Sequence, residues 1–330
     1  MAPPREAVAL DEGALLAAAM PDAGRRPSPA SRARLAGFAW AALSVTIFSG
    51  WFVVTRFSVT RELGIWDITA LRFGIGAVLL APAVLRRGSR PPVAAWGEGL
   101  VFALLWGMPF VLLVALGLKL TSAAQAAAIA PTLMPVFAGL FAWTFLKEPQ
   151  GRLRWIGYGA IAAGLVALVA AGAALHGPPD PLGLAALAAA AAMWAVYTLL
   201  FRRSRLTPIQ AAALICIWSA ILFLPAYLLL GLSRFAHAAA GEIALQAAYQ
   251  GLLMSGVAII TFNRAVSLLG AGAATATIAL LPAVAALLAV PVLGETPSPA
   301  ECGAIALIVL GVLLASRPSQ RSRPTERRRP

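Results

Sequence analysis

Two carboxylates, Glu148 and Glu295, stand 147 residues apart in similar settings, Leu146-Lys147-Glu148-Pro149 and Leu293-Gly294-Glu295-Thr296-Pro297. Paired acids at one site would suit general acid–base chemistry. Arg72 is the one charge clearly inside a long apolar run, where a guanidinium needs a compensating partner or an anion. Cys216 and Cys302 are each isolated in apolar sequence, and His176 and His237 fall in predicted loops. That spacing supports neither a disulfide framework nor a metal centre. A nucleophile with its base and a phosphate-binding glycine loop are also missing, so enzymatic chemistry and nucleotide use are not expected. No cofactor is implied.

The elements that position these residues follow from composition. Of 330 residues 60% are hydrophobic and 12% charged, and the mean hydropathy is +0.83. Lipid rather than water must solvate most of such a surface. The formal net charge of +13 is concentrated in short clusters between uncharged runs. Basic loops against an anionic leaflet explain that pattern without a nucleic-acid partner. Ten apolar runs near 20 residues predict ten spans, roughly 35–55, 67–85, 97–117, 123–146, 155–175, 182–201, 209–232, 244–264, 271–293 and 299–316. Continuous helices satisfy backbone groups in lipid, so the expected class is an all-α polytopic membrane protein.

With the N-terminus inside, 21 of the 26 basic residues fall on the cytoplasmic side. The expectation is a multi-pass protein of the cell (inner) membrane with both termini cytoplasmic. Residues 1–34 and the Arg-rich 317–330 read as disordered cytoplasmic tails, too poor in apolar surface to fold alone.

The chain also repeats itself. Aligned at a shift of 147, 123–148 and 270–295 share ten of 26 residues, among them Pro135 on Pro282 and Glu148 on Glu295; further on, Gly164 falls on Gly311. Five spans per copy is odd, so the second copy enters from the opposite side. Ten helices thus form two inverted five-helix repeats, 35–176 and 180–316, an arrangement suited to alternating access. The inversion also sends Glu148 and Glu295 to opposite faces. They cannot pair, and each is expected to cap the helix that follows it.

These features resemble the drug/metabolite transporter superfamily in its two-domain EamA branch, over roughly residues 37–316. The resemblance rests on the tandem five-helix units, Leu146-Lys147-Glu148 and its echo Leu293-Gly294-Glu295, Arg72 in span two, and Phe262-Asn263-Arg264-Ala265-Val266 before Leu269-Gly270-Ala271. It implies a ten-helix carrier of amino acids, metabolites or drugs with a central cavity.

For Arg72 two readings stand. It attracts a carboxylate or other anion in the cavity, or it reaches the outer interface or pairs with Asp67, Glu62 or backbone carbonyls. Pro131, Pro135 and Pro282 either hinge the cavity-lining spans or mark packed kinks. Trp51, Trp194 and Tyr197 are candidates to stack on a solute, with helix packing as the alternative. Gln125 and Asn263 have the most spare hydrogen-bonding capacity for a cavity. The partners expected are a small-molecule solute and membrane lipid. The function expected is secondary transport around a midplane cavity, the competing readings being a non-transporting scaffold or sensor and an intramembrane enzyme. Oligomeric state, coupling ion, substrate and direction are not written in these residues.

Overall fold

The computed structural model describes residues 29–269 and 279–316, and among these it is helical throughout with no strand. The helices are α1 (Pro29–Val59), α2 (Ile65–Leu80), α3 (Pro82–Leu85), α4 (Val93–Trp106), α5 (Met108–Leu120), α6 (Ala123–Thr144), α7 (Arg152–His176), α8 (Pro181–Phe201) and α9 (Pro208–Leu229). They continue with α10 (Ala240–Gln246), a π-helical stretch Ala247–Val257, α11 (Ala258–Leu269), α12 (Leu281–Leu293) and α13 (Pro299–Ala315). Among the described residues seven helical segments are long and apolar enough to cross a membrane. Leu281–Leu293 and Pro299–Ala315 are shorter apolar helices.

Local chemistry sets the boundaries. Ser122, Thr207 and Ser298 open α6, α9 and α13 through capping boxes completed by Gln125, Gln210 and Glu301. Glu301 therefore starts a helix rather than interrupting a span. Asp180 caps α8 by accepting the Leu182 amide at 2.8 Å. Small residues line the interior, with Ala126, Ala127, Ala190, Ala191 and Ala211 fully buried, while Leu229, Val78 and Val166 are exposed. The buried alanines let helix backbones approach closely, and larger side chains such as Ile161, Leu168 and Ile308 fill the space between them.

Three of the predicted continuous runs are broken. The third divides at Gly107, where a Cβ would stand 2.3 Å from both the Ala103 carbonyl oxygen and the Ser219 hydroxyl. Ser219 accepts the Met108 amide there at 3.1 Å, and Pro109 has no amide to continue the ladder. The second run kinks before Pro82. The eighth carries the π-helical stretch, a distortion frequent where a helix serves a function. In the ninth, Pro282 lies in the first turn of α12, where a missing amide costs nothing, and not inside a helix as the sequence suggested.

The two halves are related at the crossing of α7 and α13. A Cβ on Gly164 would meet Ile308 and the Ala304 carbonyl, and one on Gly311 would meet Ile161 and the Gly157 carbonyl. A shift of 147 converts each set into the other. Contacts run from Gly157 near Ala315 to Gly164 near Ala304, so the equivalent helices are antiparallel. Other pairings exchange in the same way: α1 with α11 and α8 with α5, α6 with α8 and α12 with α1.

Candidate functional site

Arg72 projects from the middle of α2 toward α1. Its guanidinium carbon stands 5.0 Å from the centre of the Trp51 ring, and its Nη1 is buried without a partner among the described residues. Neither acid proposed as its counter-ion is available. Asp67 is fully buried, accepting from the Tyr227 hydroxyl at 2.6 Å, the Arg234 amide at 3.0 Å and the Gly64 amide at 2.7 Å. Glu62 accepts the Ala239 amide at 2.6 Å. Desolvated cation–π contact is worth about 2 kcal/mol. Placing a guanidinium in the hydrocarbon region costs from about 3 to above 10 kcal/mol. The ring alone does not offset that cost, which leaves Arg72 suited to an anionic group.

The Trp51 ring is held in turn. Its Nε1 donates to Gln250 Oε1 at 2.8 Å, from the π-helical stretch. Gln250 Nε2 donates to Thr55 Oγ1 at 2.9 Å and to Gln246 Oε1 at 3.1 Å, and Gln246 Nε2 reaches Ser58 Oγ at 2.8 Å. This ladder of buried amides and hydroxyls fastens α1 to the eighth helical segment. Neither glutamine is evident as a functional residue in the sequence, where both sit in an Ala-rich stretch. Tyr249 adds a bond to the Ile47 carbonyl at 3.0 Å, at a point where α1 carries Gly50 and a Cβ would lie against the phenol oxygen.

Trp194 and Tyr197 lie together on α8, stacked on Trp106 with centroids 5.9 and 4.7 Å away. Phe110 closes edge-on against Trp194. The Trp106 Nε1 is buried without a partner among the described residues. Arg72 and Trp51 thus form one group, while Trp106 and Phe110 of the first repeat stack with Trp194 and Tyr197 of the second beside the break at Gly107.

Gln125 sits elsewhere. It lines a cavity of about 430 Å³ formed by Arg56, Lys119, Thr121, Ser122, the 177–180 turn and residues 294–297 with Glu301. Pro131 and Pro135 are inside α6, and the Asn263 side chain lies outside the described ones. Trp51 with Arg72, Trp194 with Tyr197, and Gln125 in the cavity therefore form three groups rather than one constellation.

The two glutamates differ from the expected caps. Glu295 Oε2 accepts the Ala123 amide at 3.0 Å, so it caps α6 and not the helix that follows it, which Ser298 caps. Its Oε1 accepts from Arg56 Nε at 2.5 Å. Glu148 lies 3.6 Å from Arg202 Nη1 at an exposed position. The two acids stand at opposite ends of α6, a 22-residue helix of about 33 Å. Among the described residues no group of histidines, cysteines and acids could hold a metal ion.

A model of the EamA-like transporter family matches residues 35–170 and 181–317. The uncharacterized transporter YwfM of Bacillus subtilis (strain 168) is 27% identical over 271 residues, 78% of this chain and 88% of its own. A probable terminal-alkyne amino-acid exporter of Streptantibioticus cattleyicolor is 31% identical over 200 residues, 59% of this chain and 64% of the exporter. A solved crystal structure superposes with a TM-score of 0.59 at 26% identity, covering 86% of this chain and 96% of its own.

Proposed function

Because this chain belongs to the EamA-like transporter family, a multi-pass membrane transporter family, we propose that it is a secondary transporter that moves a small solute by alternating access. In this reading it has ten membrane spans, in two oppositely inserted five-helix repeats within 35–176 and 180–316. Both termini are cytoplasmic in the cell (inner) membrane. The supporting observation is the antiparallel crossing of α7 and α13, in which Gly164 with Ile308 and Gly311 with Ile161 are equivalent contacts. Two halves that are inverted copies can adopt each other's conformation, which converts an inward-open carrier into an outward-open one.

The solute is a small metabolite, amino acid or drug-like molecule bearing a carboxylate or comparable anionic group. Arg72 attracts that group, Trp51 holds the guanidinium in place, and Trp106, Trp194 and Tyr197 accept an apolar portion. The exporter-named relative makes amino-acid-like solutes the first class to try. Purified protein in proteoliposomes, preloaded with unlabelled solute and given labelled solute outside, tests the reading. Accumulation by exchange is expected for at least one anionic or zwitterionic solute. Absence of exchange and of thermal stabilisation across amino acids, carboxylates, purines and cationic drugs would overturn it.

A further inference from the structure

We propose that Arg56–Glu295 and Arg202–Glu148 are the two gates of the carrier, closing opposite faces in turn; this rests on the alternating-access reading. Each pair joins the halves, because Glu295 and Arg202 belong to the second repeat and Arg56 and Glu148 to the first. The repeat shift places Glu148 on Glu295, and Arg56 on Arg203, beside Arg202. The pairs are thus counterparts, about 33 Å apart across α6.

They are in different states. At one face Glu295 joins the ends of four helices. It accepts from Arg56 Nε and from the Ala123 amide, while Arg56 Nη1 donates to the Leu118 carbonyl at 2.6 Å. These are charge-assisted bonds between groups whose side chains are only 21% and 26% exposed. At the other face the Arg202–Glu148 contact is 3.6 Å long with side chains 59% and 44% exposed, a geometry that holds little. A structural cap would need neither the recurrence nor the crossover between halves. A carrier needs both, since the bonds closing one face must release as the equivalent set forms on the other. The Glu295 side chain also borders the 430 Å³ cavity with Thr121, so its release widens that cavity.

The test uses the full chain in nanodiscs, with Cys216 and Cys302 replaced by alanine and Thr121→Cys as a buried reporter in the cavity. The rate of modification by a charged maleimide is measured. Glu295→Gln is expected to raise it at least fivefold, and Glu148→Gln to leave it unchanged or lower it, because freeing the other face favours closure at this one. Arg56→Gln removes the partner instead of the acid and is expected to reproduce Glu295→Gln, which keeps the test decisive if one variant does not fold. Equal increases from Glu295→Gln and Glu148→Gln, or no increase from Glu295→Gln and Arg56→Gln in monodisperse protein, would overturn the gates. This readout needs no substrate, so its failure is distinct from a failure of the exchange assay.

Discussion

The Arg72 guanidinium lies over the Trp51 ring at 5.0 Å with one terminal nitrogen buried and unpaired among the described residues, although two acids, Glu62 and Asp67, precede it within ten residues. Both acids are bonded to the 227–239 region instead. Among the described residues this cation has no acidic partner and lies beside a fixed aromatic face.

Arg72→Gln should therefore separate stability from function. Removing a buried charge without a partner is expected to leave thermal stability equal or raise it, since such charges are costly. Transport of the anionic solute should fall at least tenfold, about 1.4 kcal/mol. A melting curve and a transport rate on the same preparation check both. Normal transport in a folded variant would remove Arg72 from the site.

Gln250→Leu is predicted to destabilise by about 1–3 kcal/mol, because it leaves the Trp51 Nε1, the Thr55 hydroxyl and the Gln246 carbonyl oxygen without their bonds in a buried setting. Denaturation in mild detergent measures this. The loss should be larger than for an exposed polar residue such as Ser267.

The symmetry of the α7–α13 crossing predicts matched effects. Gly164→Val and Gly311→Val each force a side chain against Ile308 or Ile161 and a facing carbonyl at 2.9–3.1 Å. Close-packed helices lose about 1–3 kcal/mol to such overpacking. The two variants should lower the melting temperature by similar amounts. A Gly159→Val control, where a Cβ meets nothing, should not.

Much of this architecture can be read directly from the sequence. The helices and the repeat follow from run length and from Gly164, Pro135 and Glu148 recurring at one shift, because lipid leaves the backbone few options. The breaks were less accessible. Gly107 is one of 29 glycines, and only the approach of Ser219 from α9 makes it a helix end. The helix that Glu295 caps is hidden in the sequence for the same reason, since its partners Arg56 and Ala123 are 239 and 172 residues away. Gln246 and Gln250 look like surface polar residues until α1 is packed against them. What depends on period and composition is visible in one dimension, and what depends on a partner from the other repeat is not.

Opposite insertion of the two repeats is tested most directly by labelling Glu148→Cys and Glu295→Cys, each in a chain without other cysteines, with a membrane-impermeant thiol reagent in sealed vesicles of known orientation. Only one of the two is expected to react before the membrane is permeabilised, with Glu295→Cys on the outer face. Reaction of both, or protection of both until permeabilisation, would contradict it.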